Sequence, residues 1–306
     1  MASLPKSDIR NPKSLIVICG PTAVGKTAIA IALAKHFGTE IISADSRQFY
    51  REMSIGTAKP TKEELAAVPH HFINNLSIHD EYTAGVYERE ALVVLDEIFK
   101  THDVAVMVGG SGLFIKAVCE GFDSFKGEEV SEAIKSKFRN MALEDMQKEV
   151  ARLDPEYFDK VDKKNPRRLQ RALEVMYSTR RKYSDQLTGE KAQRSFNIVK
   201  VGLELPREVL YDRINKRVDQ MRKAGLVEEA TALHPFKELQ PLQTVGYQEI
   251  FDFLDGKQSK SEAIDKIKQN SRNYAKRQLT WFKKDEEVKW FAADGKEILK
   301  QIVTLV

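Results

Sequence analysis

The chain has 306 residues, 42% of them hydrophobic, so it can bury a substantial core as one large domain or two moderate ones. Its formal net charge of +4 is only mildly basic, so an argument for nucleic-acid binding must rest on where the charges lie. No apolar run is long enough to cross a bilayer and the two cysteines lack zinc-site spacing, which argues against a membrane protein and a redox or zinc site and predicts a cytoplasmic location.

A phosphate-binding loop is predicted near the start of the chain. An apolar, strand-like run over residues 14–19 leads directly into a G-x-x-x-x-G-K-T pattern made by Gly20, Pro21, Thr22, Ala23, Val24, Gly25, Lys26 and Thr27. The two glycines let successive backbone N–H groups point at phosphate oxygens, ahead of a helix predicted over residues 28–37. Lys26 adds a positive charge and the hydroxyl of Thr27 suits Mg²⁺, so we expect a bound diphosphate or polyphosphate, with a ligand-free turn as the alternative.

Strand and helix patterns alternate along the rest of the chain. Further strands are predicted at residues 40–44, 104–108, 198–205 and 288–291, with helices such as 86–99 between them. This alternation predicts an α/β fold of the P-loop NTPase-like class, in which a parallel sheet carries helices on both faces. Residues 121–196 are charged and lack strand patterns, so we predict an inserted helical domain there, within a discontinuous core of residues 13–120 and 197–306.

Two loops that follow predicted strands carry candidate functional groups. Asp45 would end the second strand, where side chains of doubly wound sheets face the ligand crevice, and its carboxylate can accept a proton or hold a substrate amine. Helix capping or assistance to Mg²⁺ is the alternative for this residue. After the third strand, a glycine-rich loop allows close approach to a ligand, while Ser111 offers a hydroxyl and Lys116 a positive charge. A glycine turn without a ligand is the alternative for this loop.

Basic residues are clustered in three places. Arg213 and Arg217 are four residues apart, so on a helix they share one face and could clamp phosphate oxygens. Residues 163–182 contain a single acid, and residues 266–284 contain seven Lys or Arg, no acid and interleaved aromatic side chains. The last two clusters suit contacts with nucleic-acid phosphates and bases. For all three, a solvated helix face is the alternative.

Seven ordered motifs cover most of the chain between Ser14 and Trp290. They lie at residues 20–27, 43–50, 55–60, 108–114, 165–174, 244–249 and 275–282. Together they resemble the tRNA dimethylallyltransferases of the bacterial type, also called tRNA isopentenyltransferases. The resemblance implies transfer of a dimethylallyl group from dimethylallyl diphosphate to N6 of adenosine 37, just 3′ of the anticodon in tRNA, with release of diphosphate.

The resemblance also implies roles for particular residues. Asp45 would accept the N6 proton, and Thr22 and Ser111 would lie near the reacting carbon or the bridging oxygen. The phosphate loop, Arg217, Arg213, Lys116 and Mg²⁺ on Thr27 would stabilise the departing diphosphate. We expect a monomer that binds the anticodon stem-loop and no membrane. The residues implied to contact the stem-loop are Asp45, Ser46, Arg47, Gln48, Arg167, Arg168, Leu169, Gln170, Arg171, Thr244, Val245, Gly246, Tyr247, Gln248, Lys276, Arg277, Gln278 and Trp281.

Three other functions share parts of this pattern. A small-molecule or nucleotide kinase would use the same loop, a helical lid and paired arginines, but it would not need the basic aromatic segment 266–284. A nucleotide-regulated RNA-binding protein would use the loop as a switch, yet the third strand ends in Gly-Gly without the aspartate of a Walker B element. An enzyme that prenylates free adenine nucleotides would leave the RNA-facing motifs without a purpose.

Overall fold

A computed structural model describes residues 13–122, 130–295 and 297–306. Within these ranges six strands form one sheet in which every neighbouring pair is parallel. The strands are β1 (Ser14–Cys19), β2 (Ile41–Ser43), β3 (His70–His71), β4 (Val104–Val108), β5 (Asn197–Glu204) and β6 (Lys289–Ala292). Their order across the sheet is β3-β2-β4-β1-β5-β6, so the first strand lies near the centre.

Helices connect the strands, as the parallel pairing requires. The described α-helices are α1 (Lys26–Phe37), α2 (Lys62–Ala67), α3 (Ala84–Thr101), α4 (Gly112–Glu120), α5 (Glu132–Arg139), α6 (Leu143–Leu153), α7 (Pro155–Lys160), α8 (Pro166–Thr179), α9 (Arg207–Lys223), α10 (Leu226–Leu233), α11 (Gln248–Leu254), α12 (Lys260–Phe282) and α13 (Ile298–Val303). Short 3₁₀ turns lie at Ser184–Gln186, His234–Phe236 and Gln240–Leu242. No helix in the described ranges is long and apolar enough to span a bilayer.

The central strands are apolar on both faces because helices cover the sheet on both sides. Alternate residues of β1 enter different hydrophobic clusters: Leu15 and Val17 pack with one, and Ile16 and Ile18 with the other. Side chains from α3 and α10 fill the first cluster, and side chains from α1 and α13 fill the second. The predicted α/β fold with helices on both faces is therefore confirmed.

The strand predictions were close and one strand was missed. The predicted run 40–44 is a strand over Ile41–Ser43, 198–205 is Asn197–Glu204 and 288–291 is Lys289–Ala292. The missed strand, β3, has only two residues and pairs with Ile41 and Ile42 of β2. A strand this short shows no alternation, so its formation depends on the neighbouring strand.

Backbone contacts divide the described residues into two compact units. Residues up to Cys119 and from Gln193 onward form one unit, and Glu120–Ala192 form the other. The second unit contains helices α5 to α8 and a hydrophobic core of its own, in which Phe138, Val150 and Leu173 are fully buried. Its role in RNA binding stays a prediction.

Candidate active site

A cleft of about 370 Å³ opens where strands β1, β2 and β4 end. The phosphate loop follows β1, Asp45 follows β2, and a glycine-rich loop follows β4. These strands are adjacent in the order β2-β4-β1, so their following loops converge on one crevice. Thr22, Asp45, Gly109 and Arg217 all line it. The structure thus brings together groups that are distant in the sequence.

The phosphate loop has the backbone shape that binding of an anion requires. Gly20 has a φ of +137°, and a Cβ atom there would lie 2.6 Å from the carbonyl oxygen of Leu203, so only glycine fits. Gly25 is the N-cap of α1, and no side chain in the described ranges caps that helix. The first N–H groups of α1 therefore need an external acceptor, which a phosphate would supply.

The ammonium group of Lys26 lies inside the loop. Its Nζ donates to the carbonyl oxygens of Gly20 at 3.1 Å and Pro21 at 2.7 Å. Burial lowers the pKa of Lys26 to about 8, and the nearby carboxylate of Asp45 opposes that shift. Thr27, the next residue, also lines the cleft.

Two arginines of α9 reach the phosphate loop, and their predicted clamp on phosphate oxygens stays a prediction. Arg217 donates from Nη1 to the hydroxyl of Thr22 at 3.2 Å, and Arg213 donates from Nη1 to the carbonyl oxygen of Val24 at 3.4 Å. Burial lowers the pKa of the Arg217 guanidinium, although nearby carboxylates favour its charge. The structure therefore places two positive charges beside the predicted diphosphate site.

Asp45 lies in a loop that is held against the end of β4. A Cβ atom at Gly109 would lie 2.2 Å from the carbonyl oxygen of Ala44, so glycine is needed for the two strand ends to meet. The hydroxyl of Ser111 accepts the N–H of Ser46 at 3.0 Å and donates to the Ser46 hydroxyl at 3.1 Å. Ser111 thus contacts the loop of Asp45, and its predicted place beside the reacting carbon stays a prediction.

Lys116 differs from the other predicted diphosphate contacts. It is exposed on α4 and is not among the described residues that line the cleft. The sequence pattern indicated only that it follows the glycine-rich loop by one helical turn. Its contact with diphosphate stays a prediction.

The carboxamide of Gln278 connects the two loops of the cleft. Its Oε1 accepts the N–H of Thr22 at 2.8 Å, and its Nε2 donates to the carbonyl oxygen of Gly110 at 2.9 Å. The side chain is buried. Sequence analysis assigned Gln278 to RNA, whereas both polar ends of this side chain bind the protein itself.

Tyr274 is a cleft residue that sequence analysis did not include in the site. It lines the cleft together with Asp45. Burial raises the pKa of Tyr274 to about 12, and the charge of Asp45 adds to the shift. Tyr274 lies four residues before Gln278, so a helical count on α12 would have placed both on one face.

Most residues predicted to contact RNA in the larger unit are accessible. Lys276, Arg277 and Trp281 are exposed on α12, and the indole of Trp281 lies against Gly112. Tyr247 is fully buried, so its side chain is part of the core and does not reach a ligand. Gln248 is exposed. Of the remaining predicted residues, Ser46 is not among the described residues that line the cleft, whereas the others line it: Asp45, Arg47, Gln48, Thr244, Val245 and Gly246.

The smaller unit presents three of its predicted RNA contacts to solvent. Arg167, Arg168 and Arg171 are exposed on α8. Leu169 is fully buried in the core of that unit, because it lies on the apolar face of the helix, and its side chain is not available to RNA. Gln170 donates to Glu174 at 2.8 Å.

Comparisons with known proteins agree with the motifs. A model of the IPP transferase family matches residues 48–285. A protein of Christiangramia forsetii named tRNA dimethylallyltransferase is 52% identical over 282 residues, covering 92% of this chain and 93% of its own length. A second relative, tRNA dimethylallyltransferase 1 of Bacteroides fragilis, is 47% identical over 293 residues, with 95% and 97% of the two chains covered.

Solved structures extend the comparison to the fold. The tRNA isopentenylpyrophosphate transferase of Bacillus halodurans is 37% identical, has a TM-score of 0.71 and covers 96% of this chain and 95% of its own. A eukaryotic dimethylallyltransferase described as acting on tRNA is 25% identical, with a TM-score of 0.82 over 96% of this chain and 77% of its own. The sheet is thus of the P-loop NTPase-like type that these enzymes share. This chain belongs to the IPP transferase family, the tRNA dimethylallyltransferases, and is a prenyltransferase.

Proposed function

We propose that the cleft transfers a dimethylallyl group from dimethylallyl diphosphate to N6 of the adenosine just 3′ of the anticodon, and releases diphosphate. The observation that carries this proposal is the position of Asp45 in the same cleft as Lys26 and Arg217. A proton acceptor and a diphosphate site must lie together for a transfer in which the amine loses a proton and the donor loses diphosphate. The eukaryotic relative described as acting on tRNA supports the choice of acceptor.

The donor half of the reaction follows from the positive charges. The bond between C1 of the dimethylallyl group and the bridging oxygen breaks, and its electron pair leaves with diphosphate. Negative charge therefore grows on the bridging oxygen in the transition state. Lys26, the N–H groups at the start of α1, Arg217 and Arg213 are the groups that stabilise it. Lys116 is a more distant candidate for the same role.

The acceptor half requires that adenine leave its stack, because protein groups can surround N6 only when the base is unstacked. The N6 lone pair then attacks C1, and a new C–N bond replaces the C–O bond. The N6 proton passes to the carboxylate of Asp45. Thr22 contributes its hydroxyl beside the leaving oxygen, while Ser111 holds the loop that carries Asp45.

The donor set fits Mg²⁺. The hydroxyl of Thr27 lies on the cleft wall and is a hard oxygen donor of the kind that Mg²⁺ prefers, so Thr27 would hold the ion there. Bound there, Mg²⁺ would neutralise charge on the diphosphate. Lys26 and Arg217 bind the same oxygens from the protein side.

RNA contact is proposed for two exposed basic surfaces. One is the α12 surface, formed by Lys276, Arg277 and Trp281, and the other is the α8 surface, formed by Arg167, Arg168 and Arg171. Arginine and lysine bind the phosphates of the stem-loop, while an exposed indole stacks on an unpaired base. We further propose that the enzyme acts as a monomer in the cytoplasm, where its tRNA substrate is found.

The test is a transfer assay with purified protein, Mg²⁺ and unmodified tRNA. Radiolabelled dimethylallyl diphosphate is supplied in one reaction and ATP with small-molecule acceptors in a parallel one, and the RNA is digested to nucleosides. We expect label on N6 of the adenosine next to the anticodon and no turnover of ATP. Unlabelled RNA together with consumption of ATP would contradict the proposal and favour a kinase, which the comparisons do not support.

A further inference from the structure

The loop formed by residues 54–58 is anchored by a side chain outside the cleft. The carboxylate of Glu229, on α10, accepts the N–H groups of Ser54 at 3.1 Å and Ile55 at 2.8 Å through Oε2. Through Oε1 it accepts the N–H of Gly56 at 2.9 Å and the hydroxyl of Tyr247 at 2.7 Å. Four donors therefore converge on one carboxylate, which accepts hydrogen bonds only.

Packing fixes the same loop. A Cβ atom at Gly56 would lie 2.5 Å from the ring of Tyr247, so the backbone of the loop rests directly on this buried ring. Two residues later, Ala58 has a φ of +48°, a left-handed conformation that non-glycine residues adopt only where the surroundings hold them. The loop is thus held in one conformation by Glu229 and Tyr247.

The carbonyl groups of this loop orient two cleft side chains. The carbonyl oxygen of Ala58 accepts from Nη2 of Arg217 at 3.4 Å and from Nε2 of Gln48 at 3.2 Å, and the carbonyl oxygen of Thr57 also accepts from Gln48 at 3.2 Å. Arg217 also donates from Nη1 to the hydroxyl of Thr22. A shift of the loop would therefore move the guanidinium away from the diphosphate site.

We infer that Glu229 is a positioning residue for the transfer reaction, acting through the 54–58 loop to hold Arg217 in place for diphosphate. The inference rests on the proposed function for the identity of the ligand. Glu229 is not among the described residues that line the cleft, so its effect passes through the loop. A glutamine here would keep the size of the side chain but would turn an amide donor toward loop N–H groups that need an acceptor.

The test is a double-mutant cycle between Glu229 and Arg217, read as binding of inorganic pyrophosphate with Mg²⁺ by calorimetry. We expect Glu229→Gln to weaken pyrophosphate binding about tenfold in the wild-type background and less than about twofold in the Arg217→Ala background. Glu228→Gln is the matched control, because Glu228 is the exposed neighbour on the same helix and loses the same charge. Its binding should match the wild type.

Two outcomes would overturn the inference. One is an equal weakening by Glu229→Gln in both backgrounds, and the other is no weakening in a variant that melts cooperatively. If Glu229→Gln does not fold, Tyr247→Phe removes only one of the four donors and should weaken binding about threefold, again only when Arg217 is present.

Pyrophosphate binding requires no acceptor, so the two proposals can fail separately. If the double-mutant cycle shows coupling between Glu229 and Arg217 but the wild-type protein prenylates no tRNA, only the proposed function is contradicted. If the wild-type protein prenylates tRNA but the cycle shows no coupling, only the role of Glu229 is contradicted.

Discussion

The carboxamide oxygen of Gln278 accepts the backbone N–H of Thr22 at 2.8 Å, while its nitrogen binds the carbonyl oxygen of Gly110. Gln278 belongs to α12, the helix whose exposed residues form a proposed RNA surface. One buried side chain therefore connects that helix with both the phosphate loop and the loop after β4. The shape of the proposed diphosphate site depends on this connection.

Removing this carboxamide should destabilise the protein. In Gln278→Leu the N–H of Thr22 and the carbonyl of Gly110 lose their partner in a buried place, which costs about 2 kcal/mol of the free energy of unfolding. Denaturant unfolding would measure the loss, and pyrophosphate binding should weaken with it. Gln248→Leu is the control, because Gln248 is exposed and its change should stay within about 0.5 kcal/mol. Equal stability of the two variants would contradict the connecting role of Gln278.

The protonation of Lys26 should make folding depend on pH. Burial lowers the pKa of Lys26 from 10.5 to about 8. Between those values the unfolded chain holds the proton and the folded protein does not, so the free energy of unfolding rises with pH across that window. The burial penalty is fully present below pH 8. In Lys26→Met, the free energy of unfolding measured with denaturant should no longer rise between pH 8 and pH 10.5. A rise of the same size in this variant would mean that another group causes it.

Binding of diphosphate should depend on pH in the opposite direction. A bound anion keeps Lys26 charged, so affinity for pyrophosphate falls about tenfold per pH unit above pH 8. Arginine keeps its charge throughout this range, so Lys26→Arg should show a flatter profile. The ionisation of pyrophosphate is common to both proteins, and the difference between the two calorimetric profiles isolates Lys26. Parallel profiles would contradict a contact between the Lys26 ammonium group and pyrophosphate.

The α8 surface should contribute to RNA affinity through salt-dependent contacts. Arg168→Glu is expected to weaken binding of the anticodon stem-loop and to reduce the slope of log K against log salt by about 1, because one phosphate contact is lost. Lys300→Glu changes the net charge equally at an exposed position of α13 and should leave the slope unchanged. Filter binding at several salt concentrations gives both values. An unchanged slope for Arg168→Glu would contradict a phosphate contact and would indicate that α8 presents only a solvated helix face.

The close approach of two strand ends should tolerate no side chain at Gly109. Gly109→Ala would place a Cβ atom 2.2 Å from the carbonyl oxygen of Ala44, so β2 and β4 must separate where the cleft forms. We expect a loss of about 3 kcal/mol in unfolding free energy. Gly85→Ala, in α3, would place a Cβ atom at an ordinary contact distance of 4.0 Å from the Thr83 hydroxyl and should be neutral or stabilising by up to about 1 kcal/mol. A similar response at both positions would contradict the packing at Gly109.

Sequence patterns identified most strands and the phosphate loop because each has a signal within a few consecutive residues. The strand at residues 14–19 is a continuous apolar run, and the loop after it has fixed glycine positions. β3 has no such pattern, since His70 and His71 join the sheet only through β2. A two-residue strand is a consequence of tertiary pairing and cannot be read from its own residues.

The feature that the sequence predicted least well was which side chains of α12 face the cleft. Its basic composition indicated RNA binding for the whole segment, but Ile267, Ser271, Tyr274 and Gln278 follow helical spacing and line the cleft. Lys276 and Arg277 lie on the exposed side. Composition predicted the partner, whereas only the packing of the helix shows which residues face the cleft. Leu169 and Tyr247 were assigned to RNA from the resemblance, which does not show which side chains of a motif are buried, and both are buried.

In the proposed reaction, Asp45 accepts the amine proton in the same cleft that holds diphosphate. The most direct measurement is the single-turnover rate of transfer from dimethylallyl diphosphate to tRNA in Asp45→Ala, with tRNA and pyrophosphate binding measured on the same preparation. We expect a rate at least about 10²-fold below the wild type, with both affinities largely retained. A wild-type rate in Asp45→Ala would contradict it.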